Sequence, residues 1–348
     1  VRIGAISAQS DSLMPSFELR DVVLLDAQAR EALRLSRVVL ALSPRSLWNL
    51  GFEQLFIEGP SLDVRRLPDG RLQVAGLDVS GAGDDTRSAD WFFRQKEVLI
   101  QGGALTWTDE LQGAPPLALA DVQVVVRNGA RSHALRIDAT PPADWGGRFS
   151  LLGQFRQPLL SSHPGRWQEW SGQLFADFAA VDLARLRQHV HMGAVDVRAG
   201  RGALRGWADV DHGRFVGGTA DVVLAGVEAT LAEGRPALAL ASAAGRVAGK
   251  WLPAGFELET QGLQFETTDG RRWPGGNVSV SWRDAEGRQP AQGRLRADRL
   301  DLQALGQIAG HLPLGAATHA ALAAHAPQGL VEQVQASWEG PLEDLRKY

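Results

Sequence analysis

The chain has no cysteine among its 348 residues. This excludes a disulfide scaffold, thiolate metal ligands and a thiol nucleophile, but it leaves the compartment open, because exported proteins can lack cysteine. Lysine is nearly as scarce: Lys96, Lys250 and Lys347 are the only three. Arginine therefore carries almost all the positive charge, and with abundant Ala and Gly this reads as GC-rich coding rather than selection for a site. There is no basic excess either. The formal net charge is -4, which argues against nucleic acid as the main partner, since phosphate neutralisation needs cations gathered on one face. No run of like charges forms a tail, no signal peptide is present, and no apolar stretch approaches the ~20 residues of a membrane-spanning helix. The sequence opens at Val1 and stops at Tyr348, so an internal fragment is expected, with any anchor lying outside it.

What is present is period-two alternation. Leu105 and Trp107 point one way with Thr106 and Thr108 between them. Leu135, Ile137 and Ala139 alternate with Arg136 and Asp138, and Phe149, Leu151, Gly153 and Phe155 share one parity. Phe256 and Leu258, then Leu263, Phe265 and Thr267, behave likewise, as do Val278, Val280 and Trp282. Successive strand side chains face opposite sides, so each run makes one apolar and one polar face. Parallel sheet buried on both faces would instead read as continuous apolar runs. Asp69-Gly70, Asn128-Gly129 and Asp269-Gly270 separate the runs and suit the positive φ of tight hairpins; His212-Gly213 and Glu286-Gly287 are weaker versions. The fold class that follows is mainly β: a long curved antiparallel β-sheet, a meander forming an open groove, with a few short helices.

Helical spacing is confined to Ser88–Gln95, Asp182–His191, Asp301–His311 and Ala316–Ala326. Phe175 to Leu186 resembles Leu295 to Leu305, each reading as strand, Asp N-cap and short amphipathic helix. Two segments fit the length, 1–165 and 166–348, the second carrying the helices near 182–191, 301–311 and 316–326; one continuous unit fits as well.

No constellation carries chemistry. His189 and His191 lack a third ligand at metal spacing. Gly245 to Lys250 is one residue short of a phosphate loop, and Trp251 replaces its Ser/Thr. Ser161, Ser162 and His163 are adjacent but precede Pro164, as a loop would. Asp84-Asp85 and Asp109-Glu110 are expected in solvated turns. No catalytic residue, metal site or cofactor is therefore assigned. The eleven Trp residues are explained first by packing, with Trp107, Trp282 and Trp338 in strands and Trp167 and Trp170 flanking a loop.

An ordered series of motifs resembles the YhdP branch of the AsmA-like family. It runs from Phe17-Glu18-Leu19-Arg20-Asp21-Val22 and Ile57-Glu58-Gly59-Pro60-Ser61-Leu62 through Gly103-Ala104-Leu105-Thr106-Trp107-Thr108-Asp109-Glu110 and Pro115-Pro116-Leu117. Trp170-Ser171-Gly172-Gln173-Leu174 and Pro327-Gln328-Gly329 with Trp338 continue it. The resemblance implies a periplasmic protein of the Gram-negative envelope, held in the inner membrane by an anchor outside this chain and similar to bridge-like lipid transfer proteins. It implies phospholipid as cargo, brings no catalytic residues, and makes the chain non-enzymatic. On that reading Leu105, Trp107, Leu135, Ile137, Phe149, Leu151, Phe256, Leu258, Val278, Val280 and Trp282 face into a lipid groove. The rival is an assembly module whose apolar face packs on itself or on outer-membrane proteins; a carbohydrate-active β protein comes third.

Overall fold

The computed structural model describes residues 1–9, 15–25, 31–44, 46, 51–78, 87–161, 163–190, 195–287, 289–312 and 316–339. Strand accounts for 63% of the structure and helix for 10%, in mixed sheet not closed into a barrel, so the helices are accessories to a mainly β fold. Two compact units divide the chain: Val1–Phe178 with Asp209–Phe215, and Ala179–Ala208 with Val216–Tyr348.

In the first unit β1 (Ala5–Gln9), β2 (Ser16–Leu25), β3 (Glu31–Ala41) and β4 (Gln54–Glu58) pair antiparallel in succession. The meander then breaks. β4 and β5 (Ser61–Arg66), separated only by Gly59-Pro60, both pair in parallel with β8 (Glu97–Asp109). A parallel neighbour requires a crossover. Here it contains β6 (Leu72–Val74), β7 (Leu77–Asp78) and helix α1 (Arg87–Arg94). Antiparallel order resumes with β9 (Leu117–Asn128), β10 (Ser132–Thr140), β11 (Phe149–Arg156) and β12 (Ser171–Asp182).

The hairpin expectations fare unevenly. Gly70 and Gly270 both adopt φ +83°, as Asp-Gly turns require. Asn128 instead stays in the ladder opposite His133, and the connection widens to a loop closed by Gly129 N donating to Ser132 O (2.7 Å). The Asn128 side chain explains this, being committed to Gln95 O (2.7 Å) and His133 Nδ1 (2.7 Å). Two consecutive left-handed residues occur at Ala75-Gly76 (φ 49° and 78°) and His212-Gly213 (φ 48° and 70°), the primed-turn geometry of two-residue hairpins.

Strict alternation would not keep one face apolar, because the apolar parity changes once along each long strand. On β2 it passes from Phe17 and Leu19 to Val22 and Leu24. On β8 it passes from Val98 and Ile100 to Gly103, Leu105 and Trp107, and on β9 from Leu117 and Leu119 to Val122, Val124 and Val126. Left-handed residues sit at the changes: Asp21 (φ 51°), Gly59 (60°), Gly102 (64°) and Asp121 (47°). Pairing aligns them. Asp21 lies opposite Ser36, Ser36 Oγ donates to Glu58 O (3.0 Å), and Gly59 N donates to Gln101 O (2.8 Å). Each kink rotates the strand by one residue and returns the following apolar side chains to the same face. A crease thus crosses adjacent strands. Gly102→Val is expected to cost about 1–2 kcal/mol and Gly102→Asn much less, because Asn tolerates the left-handed region. A Cβ there meets nothing within 4 Å, so denaturant titration reads backbone strain alone.

The second unit repeats the device on an antiparallel sheet. Its strands include β13 (Asp196–Asp211), β14 (Arg214–Thr230), β15 (Leu238–Leu252), β16 (Gly255–Thr267), β17 (Arg272–Trp273), β18 (Val278–Arg283), β19 (Gln292–Asp301) and β20 (Leu330–Glu339). Parity slips at Gly226 (φ 60°), Gly262 (58°) and Gln333 (55°). Side chains bridge the slip from strand to strand: Asn277 Oδ1 accepts from Gly262 N (3.0 Å), and Asp298 Oδ1 accepts from Asn277 N (2.8 Å).

The repeated strand–Asp–helix unit is present. Asp182 Oδ1 accepts from Ala184 N (3.0 Å) and Arg185 N (3.2 Å) to start α2 (Leu183–Leu186). Asp301 Oδ1 accepts from Ala304 N (2.9 Å) to start α3 (Leu302–Ile308). α2 is shorter than its apolar spacing suggests, and His191 lies outside the described residues. A last helix, α4, spans Ala316–His325. No described helix is long and apolar enough to cross a membrane.

Candidate functional site

Cross-strand partners share a face, so the register traces the apolar surface residue by residue. In the first unit Trp107 pairs with Leu117 and Leu105 with Leu119. Ile100 pairs with Val124, which pairs with Ile137, which pairs with Leu151, which pairs with Ala176. Leu135 lies opposite Val126 and Gly153, and Phe149 lies opposite Phe178 with its ring 5.1 Å away. The six candidate residues of this unit, Leu105, Trp107, Leu135, Ile137, Phe149 and Leu151, thus occupy one continuous face. All six are half-buried, whereas Thr106, Ala118, Gln123, Ala134 and Arg136 on the other face are exposed. A second layer sealing the apolar side would bury such residues fully. Half-burial is what an unsealed sheet surface produces.

The five candidates of the second unit also converge. Phe256 pairs with Trp282, Leu258 with Val280, and Thr260 with Val278; Val280 and Val278 then pair with Leu295 and Ala297. Leu258 is 42% exposed and Trp251, opposite Phe256, is 67% exposed, so this stretch is open to solvent. Trp282 is the exception at 3%. Its indole lies 6.5 Å from that of Trp338, whose ring covers the Cβ position of Gly293.

Helices close one end of each face. In the first unit Val22, Leu35, Val38, Leu55, Val98 and Val126 form a buried cluster, with Phe92 and Phe93 of α1 packed on it. Beside it His133 stacks on Trp170 at 3.9 Å and 4°, with Phe93 edge-on to both rings. Gln95, fully buried, ties the helix end to the sheet: Oε1 accepts from Phe52 N (2.7 Å). Asn128 Nδ2 donates to Gln95 O, which turns Asn128 Oδ1 toward His133 Nδ1 (2.7 Å), and His133 Nε2 lies 3.5 Å from Gln157 Oε1. Burial pushes the His133 pKa below its ordinary value. In the second unit Ala304 and Ile308 of α3 pack on Trp273, Phe265 and Leu300.

The reverse face carries paired charges beside a half-buried row of Leu99, Val125, Leu152 and Phe175. Arg127 Nε donates to Glu97 (2.7 Å), Arg136 Nε to Asp138 (2.7 Å) and Arg246 Nε to Asp221 (2.6 Å). These guanidiniums hold all three carboxyls below the usual carboxylate range. Grooves of about 730 Å³ along Gln54, Glu97, Arg127, Gln154 and Gln173, and of about 740 Å³ along Glu259, Gln261, Ser279, Arg296 and Gln335, lie on this side. Acids committed to arginine offer no raised-pKa carboxyl for proton transfer. No group of three or more potential metal ligands occurs among the described residues.

Several polar expectations resolve differently in space. Asp109 is not in a solvated turn: it is 1% exposed, with Oδ1 accepting from Arg66 Nε (2.9 Å) and Gln112 N (3.1 Å). Asp84-Asp85 and Ser162 lie outside the described residues. His163 Nδ1 sits 2.9 Å from Asp90 Oδ2 on α1. Gly245 to Gly249 is strand, part of β15. Sequence reasoning passed over the β2–β4 part of the apolar face, where the alternation of Leu19, Val22, Leu35 and Val38 is broken by the parity slip. A left-handed-tolerant Asp or Gly between two out-of-phase apolar runs was the available signal.

The family model described as YhdP protein matches residues 1–347. No curated protein and no solved structure matches the chain. The YhdP/AsmA-like family is one of envelope proteins and is not a known enzyme family. An apolar sheet face that no second layer seals among the described residues, a reverse face with paired charges and a family match over all but the final residue agree: the chain belongs to the YhdP family.

Proposed function

We propose that this chain is a segment of an envelope-spanning conduit that moves phospholipid between inner and outer membrane, with acyl chains resting on the apolar sheet faces. The full-length protein is periplasmic and held by an inner-membrane anchor outside this chain, and its work is non-enzymatic. The observation that carries the reading is the half-burial of Ile137, Leu151, Val278 and Val280 on apolar faces that run on from strand to strand. Burying a methylene is worth roughly 0.8 kcal/mol, so a chain of about sixteen carbons costs about 12 kcal/mol to expose to water. A lipid crossing an aqueous gap needs an apolar track over its whole path. An antiparallel sheet supplies one while its backbone groups stay paired. Leu105, Trp107, Leu135, Phe149, Phe256 and Leu258 extend the track, and Trp282 forms its packed margin. Mass spectrometry of lipid extracted from the purified chain tests this: phospholipid in stoichiometric amount supports it, and a lipid-free preparation supports the assembly module instead.

A further inference from the structure

The turn Pro158–Ser161 is built against ordinary turn chemistry. Ser161 N donates to Pro158 O (3.3 Å), which places Leu159 and Leu160 at the two corners, where Gly, Asn, Asp and Ser are the usual residues. Leu159 is 78% exposed and Leu160 is 98% exposed. Neither belongs to the apolar sheet face.

Both sides of this tip are pinned. Before it, buried Gln157 donates its N–H to Arg131 O (3.0 Å) and accepts at its carbonyl from Arg131 Nη2 (2.9 Å). After it, Gly165 N donates to Asp90 Oδ1 (2.8 Å) and His163 Nδ1 meets Asp90 Oδ2 (2.9 Å). Ser161 Oγ donates to Glu169 Oε2 (3.0 Å). Two leucines held out in water by ordered flanks are costly unless they enter an apolar phase.

The charge around the tip identifies that phase. Arg156 leads into the turn and Arg131 braces it, and neither has a carboxylate partner among the described residues. Arg166 is matched by Glu169 (3.5 Å), and Asp90 is buried. Arg131 and Arg156 are therefore the unmatched guanidiniums flanking the tip. Apolar tips flanked by arginine suit a bilayer surface, where aliphatic side chains enter the acyl boundary and guanidiniums meet phosphate.

We propose that Leu159 and Leu160 form a membrane-contact tip that touches down on a bilayer containing anionic phospholipid, Arg131 and Arg156 engaging the headgroups. This contact is independent of lipid carriage on the sheet face. The test is flotation of the whole chain with vesicles of phosphatidylethanolamine, with and without phosphatidylglycerol. The wild-type chain is expected to float with the mixed vesicles. The pair Leu159→Asp and Leu160→Asp is expected to reduce the floating fraction at least about tenfold. Arg131→Gln with Arg156→Gln is expected to reduce it roughly twenty-five-fold, at roughly fivefold per charge, and to abolish the preference for phosphatidylglycerol. The thermal midpoint, expected to stay at the wild-type value in the aspartate pair, separates lost contact from lost fold; should the aspartates lower it, Leu159→Asn with Leu160→Asn gives the same readout, and because Arg131→Gln also removes the bond to Gln157 O, Arg156→Gln alone reads the charge effect without it. A wild-type chain that does not float, or variants that float equally well, would overturn the proposal.

Discussion

A chain carrying Ile137→Glu and Val280→Glu is expected to lose its bound phospholipid and keep its fold. Both side chains are half-buried on apolar faces, so without lipid a carboxylate there reaches water and ionises. With lipid it would have to lie against an acyl chain. A charge placed in an apolar phase costs at least ~2 kcal/mol, and ~2 kcal/mol corresponds to a roughly thirtyfold loss of occupancy. Extractable phospholipid should fall by that order, with the thermal midpoint within a few degrees of wild type. If the variant unfolds instead, Ile137 and Val280 belong to a sealed core and the apolar faces are not open to cargo.

The second large effect concerns the docking of α1. Gly165 is buried against the helix, where a Cβ would lie 2.5 Å from Asp90 N and 2.6 Å from Ala89 Cβ. Gly165→Ala must push the 163–165 segment off the helix and break the Gly165 N–Asp90 Oδ1 bond. Overpacking of this kind costs about 1–3 kcal/mol, and a hydrogen bond to a carboxylate adds about 1.5–3 kcal/mol. A loss of about 3 kcal/mol in denaturant titration is expected. Hydrogen exchange should rise first in Asp90–Gln95 and around His133, because Phe93, His133 and Trp170 pack as one group. Wild-type stability in Gly165→Ala would mean that this contact does not hold the helix.

What was legible in the sequence is what is local. Alternation along Leu135–Ala139 and Val278–Trp282 gives strands because successive side chains must face opposite sides, and the Asp caps at Asp182 and Asp301 act within three residues. What was hidden depends on distant partners. Nothing near Gln54–Arg66 marks parallel pairing with β8, because that pairing joins residues 43 positions apart, as in Gln54 with Glu97. Asp109 looks like a turn acid until Arg66 arrives from another strand. Gln95 looks like a surface residue until Phe52 and Asn128 surround it. The parity slips lie between these cases. The left-handed Gly102 and Gly262 are visible as glycines, but their alignment with Gly59 or Asn277 exists only in the folded sheet. The candidate face was readable within each strand, whereas its continuity across strands and its closure by α1 and α3 were not.

The central claim is that one face of each sheet touches acyl chains and the other does not. Photo-crosslinking with benzoyl-phenylalanine tests it residue by residue, at Leu151 and Val280 on the apolar faces and at their neighbours Ser150 and Ser281 on the polar ones. Irradiation in membrane-containing cells should give phospholipid adducts at Leu151 and Val280 and none at Ser150 and Ser281. Equal adducts at all four positions, or only protein adducts at Leu151 and Val280, would contradict it.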